Sequence, residues 1–156
     1  MKKSVIIKDL GRNPLTAALV IVTVRVNLDS FKSDGEDMLP ATQRLEKDEF
    51  CKLYCSSDRR LALNKISLRG KELLLWILFE LKYGEDFIRL NKVRYMKENG
   101  ISSVNTFKDA LKDLIRNGIL ATTVETGVYW VNPFYFFKGN RINKFKQNVI
   151  EYEKAE

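Results

Sequence analysis

At 156 residues the chain has room for one domain, or one domain with an appendage. Its hydrophobic fraction of 45% is too high for a disordered chain, and no run approaches the roughly 20 apolar residues that a membrane span requires. The net charge of +7 favours a polyanionic partner, and the lack of histidine excludes Ser-His-Asp and Cys-His catalysis and His-containing zinc sites.

The opening MKKSVIIKDL has a basic start, but its apolar run is too short for a signal peptide. A cytoplasmic protein without a membrane partner is therefore expected. Residues 4–8 and 15–26 are rich in Val, Ile and Thr and flank the turn-forming DLGRNP, which predicts a β-hairpin. Polar 29–40, with Gly35 and Pro40, reads as a loop or linker. Helix-like spacing of Leu45, Phe50, Leu53 and Tyr54 predicts a helix over 41–56, with Thr42 as its N-cap. Cys51 and Cys55, the only thiols, fall on that helix as small buried hydrophobes, because two ligands do not make a structural zinc site. No glycine-rich phosphate cradle is present, so neither a cofactor, a metal nor an enzymatic activity is expected.

From Ser67 the pattern sharpens. Ser67 caps a dense apolar helix that ends at Gly84, with Leu73, Leu74, Trp76, Ile77, Leu78 and Leu81 covering most of its circumference. Such a helix is expected to be central and well buried. FIRL (87–90) alternates as a short strand should. Asn91 caps a brief helix, KVRYMKE, that stops at the left-handed signal Asn99-Gly100. Ser102 or Ser103 caps the next helix, in which Phe107, Ala110, Leu111, Leu114 and Ile115 share one face, and Gly118 closes it. ILATTV, the turn ETG and VYWV form a hairpin.

Helix, short strand, helix, tight turn, helix and hairpin in that order predict an α+β fold: a winged helix-turn-helix domain with an N-terminal β-hairpin and helix. Residues 1–60 form a strand-rich region suited to dimerisation, 61–145 the winged helix, and 146–156 a helical tail. The exposed N-terminal part of the second motif helix reads base edges in such folds. That selects Ser103, Asn105, Thr106, Lys108 and Asp109, with Lys112 placed for phosphate. Asp109 and Asp113 would both repel phosphates, so a helix carrying them reads bases or does not enter DNA. Ser102, Lys92, Arg94 and Lys97 could hold the backbone, and Thr122, Thr123 and Thr126 sit at the wing tip. The acid-free basic run KGNRINKFK supplies Lys138 and Arg141 for phosphate, while the aromatics from Tyr129 to Phe137 read as core.

The stretch NGISSVNTFKDALKDLIRNGIL, followed by TETG, VYWVNP and FFKGNR, resembles the RepL-type plasmid replication initiators of low-GC Gram-positive bacteria over about residues 67–145. The resemblance implies binding to double-stranded DNA at a replication origin and recruitment of host replication proteins, without covalent chemistry. Two other readings use the same fold: a phage or plasmid transcription regulator, and a structural or packaged phage protein. An isolated N-terminal hairpin would be marginal in water, so it either packs on the winged-helix body or pairs with its counterpart in a second molecule, and the expectation is the second, a homodimer.

Overall fold

The computed structural model describes residues 10–25 and 50–153. The expected strand at 4–8, the loop at 29–40 and most of the expected helix over 41–56 lie outside these residues. The architecture is mixed α+β. The chain runs through a 3₁₀ turn (Pro14–Ala18), β1 (Ile21–Arg25), β2 (Lys52–Leu53), α1 (Ser57–Asn64), α2 (Leu68–Glu80) and β3 (Phe87–Arg89). There follow α3 (Lys92–Glu98), α4 (Val104–Arg116), β4 (Leu120–Thr122), β5 (Val128–Val131), β6 (Phe136–Phe137), α5 (Arg141–Lys144), a second 3₁₀ turn (Lys146–Asn148) and β7 (Val149–Glu153).

The main core lies where α2, α3 and α4 meet the antiparallel sheet β3–β5–β4. Leu73 and Ile77 of α2, Leu114 of α4, and Ile119 are each 0% exposed. Tyr95 of α3 joins the three helices: its ring meets Trp76 edge-on at 5.4 Å and Phe107 at 5.8 Å. Helices α3 and α4 end in the same way, each with the sequence Asn-Gly-Ile. Gly100 and Gly118 adopt φ of +62° and +70°, which only glycine takes without strain. The Ile101 and Ile119 amides then reach back to Met96 and Leu114 carbonyls at 2.8 and 3.0 Å. Both isoleucines thereby fold inward and satisfy carbonyls that a helix end would leave open.

Strand β1 pairs in parallel with β7, Ile21 opposite Val149, so its partner among the described residues is the C-terminal end of the same chain. The expected helical tail is thus a 3₁₀ turn and a strand. β-branched Val149 and Ile150 favour the extended form, and Asn148 anchors it by donating to the Thr16 and Leu19 carbonyls at 3.0 and 2.8 Å. Residues 50–56 are not helical: Lys52 and Leu53 pair with Phe137 and Phe136, and a helix begins only after Ser56 caps it. Cys51 is half-buried and packs against the main core, whereas Cys55 is exposed and is not a buried hydrophobe. Helix α2 stops at Glu80; Leu73, Leu74, Trp76, Ile77, Leu78 and Leu81 lie in or against the core as expected, but the side carrying Leu68, Leu75 and Phe79 stays exposed. A second small core of Leu19, Ile21, Phe137 and Phe145 fastens the N- and C-terminal segments together.

Candidate nucleic-acid interface

Helix α4 is held from one side. Phe107, Ala110 and Leu114 point into the core, and Asp113 adds a polar clamp: its Oδ2 accepts the Ser67 N–H at 2.6 Å and its Oδ1 the Asn117 amide at 3.1 Å. The Ser67 amide, first among several hydrogen bonds, holds the Asp113 carboxyl below the usual aspartate range. Asp113 is therefore a bracket between α4 and α2, and only Asp109 of the two acids lies on the outer face. Ser103, not Ser102, caps the helix, its hydroxyl accepting the Thr106 N–H at 3.4 Å.

The opposite side of α4 is open. Ser102, Ser103, Asn105, Lys108, Asp109, Lys112 and Arg116 are exposed, and Thr106 is half-buried. The polar residues selected from the sequence thus share one outward surface at the start of α4. On α3, Lys92 and Lys97 are exposed. Arg94 is committed elsewhere: its guanidinium bridges Glu80 at 2.9 Å and Glu98 at 2.7 Å. Glu98 is in turn held below the usual carboxylate range by the Trp76 indole N–H and then by Arg94. Arg94 is a tie between α3 and α2 and not a ready phosphate ligand.

The β4–β5 turn is built by Thr123, whose Oγ1 accepts the Glu125 N–H and lies 3.0 Å from the Glu125 and Val128 carbonyls. Thr123 therefore shapes the turn, and Thr122, Val124 and Thr126 form its exposed surface. Arg89 of β3 braces the turn through Glu125 at 2.6 Å. The sequence reading missed Arg89, although its outward place in the alternating FIR strand marks it.

The basic run after β6 is mostly structural. Lys138 is 6% exposed, and its Nζ donates to the Leu81 carbonyl at 3.0 Å, a cation at the C-terminal end of α2 where the helix dipole favours one. Arg141 donates to the Pro133 carbonyl at 3.1 Å and lies 3.4 Å above the Tyr54 ring. Both residues turn inward, against the expectation that they contact phosphate. The aromatics are core as expected: Trp130, Phe136 and Phe137 are buried. Asn132 fastens their strand to the end of α4, donating to the Gly118 carbonyl at 2.7 Å.

Among the described residues there is no cluster of three or more metal-ligating side chains and no helix long and apolar enough to cross a membrane. Fold and surface define a mixed α+β protein that presents the polar start of one helix, flanked by a β-hairpin, from a tightly turned helix pair. The family model for the Firmicute plasmid replication protein, RepL, matches residues 37–156, and the chain belongs to that family. A relative from Zymomonas mobilis subsp. mobilis, described as a 20.9 kDa protein, is 26% identical over 107 residues. The match covers 64% of this chain and 58% of that relative, so the chain spans a little under three fifths of the relative's length. No solved structure matches.

Proposed function

We propose that α3, the turn at Asn99–Ser102, α4 and the β3–β5–β4 sheet constitute a winged helix-turn-helix, and that the protein binds duplex DNA at a plasmid origin as a non-catalytic adaptor. The observation that carries this reading is the two-sided character of α4. One face is locked by Phe107, Ala110, Leu114 and the Asp113 clamp, while Ser103, Asn105, Lys108 and Asp109 stand outward at its N-terminal end. A major groove about 12 Å wide admits one helix, and base edges are read from that end. Lys97 precedes α4, Lys92 opens α3, and Lys112 and Arg116 continue the exposed side of α4 toward its C-terminal end, all cations suited to phosphate, and the Thr122–Thr126 turn stands as the wing. Membership of a plasmid replication family supports an origin as the target, and recruitment of host replication proteins is the role assigned to the adaptor in this reading. The protein would act in the cytoplasm.

Footprinting across the protein's own gene and its flanks tests the reading. An initiator protects tandem repeats there, whereas a palindrome would make the protein a transcription regulator with the same fold. Absence of binding to any such duplex at low salt would overturn the DNA-binding reading altogether.

A further inference from the structure

Helix α2 is apolar on two opposite sides. Leu73, Leu74 and Ile77 are buried against the core, but Leu68, Leu75 and Phe79 are 73%, 59% and 76% exposed. Positions four and seven apart superpose on a 3.6-residue repeat, so these three form one stripe directly across the helix from the buried face. Tyr83, 77% exposed, lies beyond the helix end, its ring resting against Gly139. A surface helix ordinarily carries polar residues on its outer face, and a contiguous exposed apolar stripe marks an interaction site.

We propose that this stripe is the contact face for a second copy of the chain, packed α2 against α2 about a two-fold axis. Two arguments favour a copy of itself. The three stripe side chains with Tyr83 expose on the order of 500 Å² per protomer, so their full burial in two copies approaches the lower bound of about 1,000 Å² for a specific interface. Self-association of a chain with net charge +7 also requires a face without strong like-charge repulsion. The stripe is bordered by charges already paired within the chain, Arg69 with Glu72 at 2.8 Å and Glu80 with Arg94 at 2.9 Å. Lys71 and Lys82 line one margin, where their long stems can extend away from the contact. By contrast, α4 exposes Lys108, Lys112 and Arg116, which repel a second copy. Because α4 packs on the opposite side of α2, at Ser67 and Gly70, the pairing leaves both α4 helices uncovered. The second copy expected at the N-terminal strands is thereby moved to α2.

Sedimentation equilibrium of the full chain without DNA tests this independently of any DNA binding. At tens of micromolar the protein should show about twice its 18.1 kDa monomer mass. Leu75→Glu with Phe79→Glu should give a folded monomer with an unchanged circular dichroism spectrum. Leu75→Ser with Phe79→Ser, a milder pair, should weaken the dimer at least about tenfold through lost apolar burial. Val22→Glu, at a β1 position that is 59% exposed, should leave the dimer intact. A monomeric wild type, including one whose stripe captures a different protein, overturns the proposal. So does a dimer that survives both α2 pairs, or one that only Val22→Glu dissociates.

Discussion

The Asp113 carboxylate accepts the Ser67 backbone N–H at 2.6 Å, joining the third turn of α4 to the first residue before α2. One side chain therefore satisfies an open amide at a helix start and fixes the angle at which α4 leaves the body. We predict that Asp113→Ala destabilises the fold by about 1–2 kcal/mol at neutral pH, the scale of a lost cap and a charge-assisted hydrogen bond. The carboxyl is held low in the folded chain. Its contribution is therefore full above the ordinary aspartate value of about 4 and is lost as pH falls through the lower folded-state value. Urea titrations at several pH values should show the gap between variant and wild type closing below about pH 4. A gap independent of pH would refute this linkage.

Gly70 sits under the same clamp. A Cβ there would lie 2.6 Å from Ile66 Cγ2 and 2.9 Å from Asp113 Oδ2. Alanine in a helix interior normally adds about 1 kcal/mol over glycine. Here the branched, buried Ile66 and the engaged carboxylate cannot both withdraw, so Gly70→Ala is predicted to lower the melting temperature. A rise would show that the clamp yields.

Asn13 ties the N-terminal segment to the sheet. It is 4% exposed, and its Nδ2 donates to Asp86 Oδ2 at 2.8 Å and to the Val131 carbonyl at 3.2 Å. Asp86 is itself 7% exposed, with the Lys144 ammonium 3.9 Å away. Asn13→Ala leaves a buried carboxylate short of a donor, at a cost of about 1–3 kcal/mol. Hydrogen exchange should then speed up in 13–25 and in β7, which pairs with β1. Unchanged protection in both strands would disprove the tie.

Lys138 separates structure from binding. Because its Nζ closes the α2 carbonyl end at Leu81, Lys138→Ala is predicted to cost roughly 1–3 kcal/mol of stability. Under conditions where the variant is folded, its DNA affinity should match that of wild type. Full stability combined with weakened binding at every sequence would instead make it a phosphate contact.

The helix order, the Asn-Gly-Ile stops and the polar start of α4 were legible because each is local: periodicity and capping depend on neighbours within a few residues. Ser67 at the head of α2 and the aromatic core from Trp130 to Phe137 were read for the same reason. What escaped depends on distant partners. Lys138 and Arg141 look like a basic patch until the chain brings Leu81, Pro133 and Tyr54 beside them. Asp113 looks like a surface acid until Ser67, 46 positions away, meets it. The parallel β1–β7 pair joins opposite ends of the chain, a pairing that no local pattern announces. The core-facing residues of α2 were read correctly from Leu73 to Leu81, but Leu68, Leu75 and Phe79 across the helix find no cover in the fold.

We propose that α4 reads bases. The most direct test is an anisotropy titration of two variant groups against the footprinted duplex and a scrambled duplex. Asn105→Ala and Thr106→Ala should cost about 1–3 kcal/mol on the specific site and little on the scrambled one. Lys112→Ala should weaken both duplexes alike and reduce the log–log salt slope by about 0.9, one phosphate contact. Identical behaviour of the two groups on the two duplexes would contradict base reading by α4.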